Sequence, residues 1–193
     1  FVFRDPVFSI DRKHSIEVCK ILIEKKIKVQ LTIETHLNNI DNEMLDLLKK
    51  AGLYMVKVGI ESVDPEVLKA SKRFTISEDK QIKVIRRIEK KGVRVVCHYI
   101  FGMVGDSYQT CINTIKYAKK LNTYIAQFSV FTPYPGTPAF NEYKDKIIAE
   151  KNEDFNQYRM VFDHNKLNSK AIREILTIAY DSYYKRFTWL FKY

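Results

Sequence analysis

Residues 52–71 read GLYMVKVGIESVDPEVLKAS, and the fold is decided there. Residues 53–60 are mostly apolar, with Val56, Val58 and Ile60 β-branched, which suits a strand packed on a pleated surface. Glu61 and Ser62 follow at once. Asp64-Pro65-Glu66 then reads as a helix start. The Asp64 carboxylate can accept the free amide hydrogens of a first turn, and Pro65 has no amide hydrogen to leave unpaired. A carboxylate and a hydroxyl therefore stand where an apolar strand emerges, directly before a helix. In parallel α/β folds that rim is where ligands bind. A solvated loop acid beside a turn-forming serine has the same local pattern, so the neighbouring segments must separate the two readings.

Upstream, Asp41 caps a helix whose Met44, Leu45, Leu47, Leu48 and Ala51 keep helical spacing, and Gly52 stops it with positive φ. Residues 27–33 read as a strand closed by Glu34-Thr35-His36, and residues 14–26 as a helix started from Ser9 or Asp11. Residues 1–3 look like the end of a further strand, broken at Arg4-Asp5-Pro6. Downstream, Ser77 caps a helix over 78–91 that Gly92 ends. Residues 93–101 form a long apolar strand leading into a loop with two glycines, Gly102 and Gly105. Asp106 or Ser107 begins the helix to residue 120, and residues 123–131 are the fifth strand. A rigid Pro-rich loop, 132–138, ends it.

Strand and helix thus alternate as βαβ units require, and the strands are apolar on both faces, as in a parallel sheet covered by helices. A closed barrel, a partial barrel and an open doubly wound sheet all fit. From residue 141 the pattern changes to a charged stretch, then a helix over 170–185 started by Asn168 or Ser169. The tail 183–193, YYKRFTWLFKY, is dense in aromatics and cations. Packing across the sheet and contact with a membrane surface both suit it.

The 193 residues are enough for one domain with a sizeable core, and Phe1 in place of Met points to a chain cut from a longer protein. The formal net charge is +10, with Lys and Arg interleaved with acids on predicted helices, the pattern of a solvated face rather than a nucleic-acid surface. No run approaches the roughly 20 apolar residues of a membrane span. Cys19, Cys97 and Cys111 have no short metal-ligand spacing, and few unpaired cysteines point to a reducing, cytoplasmic compartment. His36 and His98 stand near strand ends without a third ligand. There is no P-loop, no G-x-G-x-x-G and no G-x-S-x-G. What remains is a row of polar strand ends: Asp5, then Glu34-Thr35-His36, then Glu61-Ser62, then residues 102–107, then Thr132 with its Pro-Gly-Thr turn. Several such ends on one rim make a ligand pocket.

Five segments in order, FRDPVFSIDRK (3–13), IETHLNNIDNEMLDLLKKAG (33–52), VKVGIESVDPEVLKASKR (56–73), IFGMVGDS (100–107) and PYPGTPAF (133–140), resemble the radical S-adenosylmethionine superfamily. Within it they are similar to the group that carries a cobalamin-binding domain. The resemblance implies an α/β fold, a partial (β/α)6 TIM-like barrel of parallel strands. Its strands 2 to 6 are present, residues 1–140 are the core and residues 141–193 a helical C-terminal extension. The first strand and the C-x-x-x-C-x-x-C loop that holds a [4Fe–4S] cluster are expected before Phe1. The implied chemistry is reductive cleavage of S-adenosylmethionine to a 5′-deoxyadenosyl radical, with methyl transfer from cobalamin as one outcome.

By the same resemblance, Glu61 binds the ribose diol, Arg73 pairs with the methionine carboxylate, and Gly102 lets backbone approach the adenine. Ser62 flanks Glu61. His98 matches a second ribose contact, although the residue type differs from the family's, and Asp5 lies near the methionine end. Val104-Gly105-Asp106-Ser107 replaces the family's Pro-Gly-Glu-Thr. A small-molecule or lipid-like substrate and an electron donor such as flavodoxin or ferredoxin are implied as partners. Two other readings fit the residues: a non-catalytic basic α/β module that binds RNA or serves as a scaffold, and a different barrel enzyme holding a phosphorylated ligand at the same rim.

Overall fold

The computed structural model describes residues 1–192; Tyr193, the end of the aromatic tail, lies outside them. The elements run α1 (Arg12–Glu24), β1 (Leu31–Glu34), α2 (Asn42–Lys50), β2 (Leu53–Glu61), α3 (Pro65–Ala70), α4 (Glu78–Lys90), β3 (Arg94–Phe101), α5 (Tyr108–Leu121), β4 (Ile125–Val130), α6 (Pro138–Tyr143), α7 (Ser169–Tyr184) and α8 (Phe187–Leu190). The four strands form one parallel sheet in the order β1-β2-β3-β4, and the sheet is not closed. This is the α/β architecture of a partial barrel.

Local signals account for most boundaries. Asp11, Asp41, Asp64 and Asn168 each accept first-turn amides through their side chains. Ser77 stands at the start of α4 but its hydroxyl makes no capping bond. Gly52 has φ +106, and a Cβ there would lie 2.2 Å from the Val29 carbonyl oxygen, so only glycine fits between α2 and β2. β1 is shorter than residues 27–33, because the Ile27 amide is spent on Leu22 O (3.0 Å) in closing α1. Residues 1–3 contribute a single parallel bridge, Val2 to Thr32, flanked by Phe3 N to Thr32 O and Thr32 N to Phe1 O. The expected rigid loop after β4 is non-helical through residue 137, and α6 begins at its last residue. Thr137 accepts from Phe140 N (3.2 Å) and Pro138 sits in the first turn, the same signal as Asp64-Pro65.

The chain packs as two compact units, neither of them a continuous stretch. The first comprises Phe1–Gly59, Ile76–His98 and Thr123–Ile125. Its core is Ile33, Val56, Val58, Val95 and Cys97 from the strands, against Leu45 and Leu48 of α2 and Ile85 and Ile88 of α4. The second comprises Ile60–Thr75, Tyr99–Asn122 and the residues from Ala126 onward. Its core is an aromatic stack in which Phe128 lies 5.3 Å from Tyr99 and 5.7 Å from Phe101, covered by Ile172, Ile175, Ala179 and Tyr183 of α7. Among the described residues no helix is long and apolar enough to cross a membrane.

Candidate functional site

The second unit contains the carboxyl ends of β2 and β3, and both leave the sheet in left-handed backbone. Glu61 has φ +65 and Gly102 has φ +77. For glycine this is free of cost. For Glu61 the Cβ meets the following carbonyl, a strain of about 1–2 kcal/mol that local packing must hold in place.

Ser62 supplies part of that hold. It is buried, its Oγ accepts from Asp64 N (3.1 Å), and it lies 3.4 Å from Thr114 Oγ1 of α5. Thr114 also accepts from Val63 N (3.3 Å). The turn after β2 is therefore bolted to α5, and α3 starts in a fixed direction. α3 runs to Ala70, Lys72 turns back with φ +56, and the Arg73 amide closes on Leu68 O (2.8 Å). This brings Arg73 Nε to 3.2 Å from Glu61 Oε2. The Glu61 side chain is 21% exposed and that of Arg73 46%. Oε2 is buried and has no hydrogen-bond partner, so the two meet as charges alone. Burial pushes the Glu61 carboxyl above its usual range, and Arg73 opposes this without cancelling it. An unfilled, anionic acceptor stands at the strand end.

The loop 102–107 is shaped by Asp106, which is 2% exposed. Its Oδ2 accepts from Met103 N (3.0 Å) and its Oδ1 from the Thr110 hydroxyl (2.7 Å). Burial raises its carboxyl, and these bonds pull the other way. Ser107, not Asp106, caps α5, through Thr110 N (3.2 Å). Met103 packs with Val67 and Leu68 of α3, and the Gly105 backbone runs over Val67 and Ala70. His164, from the segment before α7, meets the Met103 carbonyl through Nε2 at 3.1 Å. A cavity of about 220 Å³ lies beside this loop, lined by Val104, Gly105, Tyr143, Lys146, Phe162 and His164.

Glu61, Ser62, Arg73 and Gly102 thus belong to one unit. Asp5 and His98 belong to the other. Asp5 is exposed there. His98 is mostly buried, its Nε2 has no hydrogen-bond partner, and burial lowers its pKa. Thr35 and His36 have structural roles in that unit: Thr35 pairs with Ser9, and His36 Nδ1 accepts from Asn38 N (3.4 Å). Thr114 and His164 are not legible in the sequence, because each meets a backbone group more than 50 residues away, whereas Thr110 lies in a local Ser107-x-x-Thr110 capping box and also donates to Asp106. Cys19, Cys97 and Cys111 are all buried, and burial pushes the Cys19 thiol up to about 11. Among the described residues no group of three His, Cys, Asp or Glu side chains is placed to hold a metal.

The sequence profile of the Radical SAM superfamily matches residues 8–118. An uncharacterized methyltransferase of Pyrococcus horikoshii is 28% identical over 187 residues, covering 95% of this chain and 40% of that protein. The anaerobic magnesium-protoporphyrin IX monomethyl ester cyclase of Rubrivivax gelatinosus is 29% identical over 190 residues, covering 97% of this chain and 33% of that protein. The chain therefore spans well under half the length of these relatives. The solved structure of the radical S-adenosylmethionine methyltransferase TsrM from Kitasatospora setae, with cobalamin and a [4Fe–4S] cluster bound, superposes with a TM-score of 0.67. The match covers 75% of this chain and 28% of that one at 21% identity, a likeness of fold.

Proposed function

The chain belongs to the Radical SAM superfamily, and from that membership we propose that the full protein binds S-adenosylmethionine at the carboxyl ends of these strands. We propose that it uses this ligand in radical chemistry ending in methyl transfer to a small-molecule or lipid-like substrate. The observation that carries this reading is Glu61 Oε2, a buried carboxylate oxygen without a hydrogen-bond partner, on a residue held in strained backbone. A ribose diol offers two hydroxyl donors to such an acceptor. Arg73, half exposed beside it, has the planar fork that takes a carboxylate. Gly102 turns the strand end with φ +77 where a Cβ would already meet Ile172, Met160 and Val130 at 3.5–3.9 Å, and Asp106 holds the following loop backbone in shape.

When bound and reduced, S-adenosylmethionine supplies hydrogen-atom abstraction from an unactivated carbon. The chain's own part is to orient the ligand and keep water from it. The donor set here does not suit an iron–sulfur cluster, because its three cysteines are buried and form no ligand group. We place the cluster's ligands, and a cobalamin site, on parts of the full protein outside these residues. An electron donor of the flavodoxin or ferredoxin type and a cytoplasmic location complete the reading. The methyl-transfer outcome draws its support from the name of the Pyrococcus horikoshii relative.

Calorimetric titration of S-adenosylmethionine into the full-length protein and its Glu61→Gln variant tests the assignment. A loss of roughly 10- to 100-fold in affinity is expected when a charge-assisted pair is reduced to a neutral one. Equal affinity in the two proteins overturns it.

A further inference from the structure

The C-terminal helix α8 is mounted with its apolar side outward. Phe187, Leu190 and Phe191 are 77%, 57% and 86% exposed. They stand at i, i+3 and i+4, which is one face of a helix, and the rings of Phe187 and Phe191 stack at 6.3 Å. The opposite side is anchored. Trp189 packs edge-on against Tyr184 of α7 (4.9 Å), and Thr188 O accepts from Asn122 (3.2 Å). Arg186 fastens the junction: its guanidinium donates to Tyr183 O (2.7 Å), Lys119 O (2.8 Å) and Asn122 Oδ1 (2.9 Å), and lies over the Tyr183 ring. A frayed tail would not use three directed hydrogen bonds and a ring stack to hold aromatics in water.

The surroundings of this face are cationic. The last turn of α5, to which Arg186 is bonded, carries Lys119 and Lys120. Lys185 precedes the face and Lys192 follows it, the latter bonded to Asn122 O (2.7 Å). The nearby acid is Asp181, and it is neutralised by Lys185 at 3.0 Å. Outward aromatics on a Lys- and Arg-rich end of the chain match a surface that is apolar below and anionic at its headgroups.

We propose that α8 docks this protein on an anionic phospholipid surface, with Phe187, Leu190 and Phe191 inserted at the headgroup boundary and the cationic charge of this end of the chain drawing it to the phosphates. The face is in the second unit but uses none of the residues of the ligand site, so it stands apart from the assignment of S-adenosylmethionine.

Sedimentation of the full-length protein with vesicles of phosphatidylcholine, with and without phosphatidylglycerol, tests it. The protein is expected to pellet with the anionic vesicles and to release as salt rises. The double variant Phe187→Ser, Phe191→Ser should bind roughly tenfold more weakly, the order expected for losing two inserted rings. Both positions are exposed, so an unchanged thermal melt verifies that the variant is folded. Absence of pelleting, or pelleting unaffected by the double substitution, overturns the proposal. Self-association that the same substitutions abolish also overturns it, by assigning the face to a second copy. Protection of the two rings from hydroxyl-radical labelling without vesicles overturns it as well, by assigning the face to another segment of the protein.

Discussion

Tyr180 Oη donates to Phe128 O at 2.9 Å and accepts from Phe128 N at 3.3 Å. One turn on, Tyr184 does the same to Ala126, at 2.9 Å and 3.2 Å. Val130 N finds Gln157 O at 2.7 Å. The outward backbone groups of β4, the last strand in the sheet order, are therefore paired at alternate residues without a further strand. An open edge invites pairing with another chain, and two phenols spaced i, i+4 on α7 occupy it.

Replacing either tyrosine with Phe keeps the packing and removes both bonds. Each single variant should lose about 1–2 kcal/mol in urea melts. The double variant should add concentration-dependent association, visible by light scattering. A double variant that stays monomeric would show that burial alone protects the edge.

Glu61 predicts the opposite sign. Burial raises its carboxyl in the folded chain, so the stability this group contributes is fully present below the ordinary carboxylate range. That contribution is lost as pH rises through the elevated folded value. At neutral pH the ionised Glu61 is a burden on the ligand-free protein. Glu61→Gln should melt higher than the parent at pH 7, with the difference shrinking as pH falls. Glu61→Gly should gain about 1 kcal/mol by relieving the left-handed backbone, while binding of S-adenosylmethionine is lost. A ligand-free melting temperature that falls in both variants contradicts this trade of stability for a site.

Asp106→Ala leaves the Met103 amide without its acceptor in a buried loop, while the Thr110 hydroxyl keeps the Ser107 carbonyl at 3.0 Å. A loss of about 2–3 kcal/mol is expected in denaturant melts. Hydrogen exchange should quicken at Met103 first, because that amide loses its bond outright. Slow exchange at Met103 in the variant would mean that another group takes over the clamp.

Gly52→Ala and Gly92→Ala separate two costs that both involve positive φ. At Gly92 a Cβ meets nothing nearer than Lys49 Nζ at 3.8 Å, so only the backbone strain of about 1 kcal/mol applies. At Gly52 the same strain is joined by a Cβ 2.2 Å from a carbonyl oxygen, and about 3 kcal/mol or more is expected. Equal thermal shifts in the two variants would show that the α2–β2 junction yields.

Much of this molecule is legible residue by residue. Asp64-Pro65 and Asp41 act within four residues of themselves, and the backbone obeys such signals wherever they occur. The alternation of apolar strands and amphipathic helices fixes a parallel sheet, and the order of five segments points to the family that the profile match then shows. Thr137-Pro138 carried the same helix signal as Asp64-Pro65 and was masked by the prolines around it. Tertiary structure alone decided the rest. It gave Asp106 a clamp's role and left the cap to Ser107, set Arg73 against Glu61, and tied His164 to Met103 across 61 residues. The tail divided, with Trp189 packed inward and Phe187 and Phe191 left outward. Strand and cap signals are local because they concern one residue's own dihedrals and nearest amides. Burial of a carboxylate, or its choice of partner, depends on atoms that distant parts of the chain deliver only once it has folded.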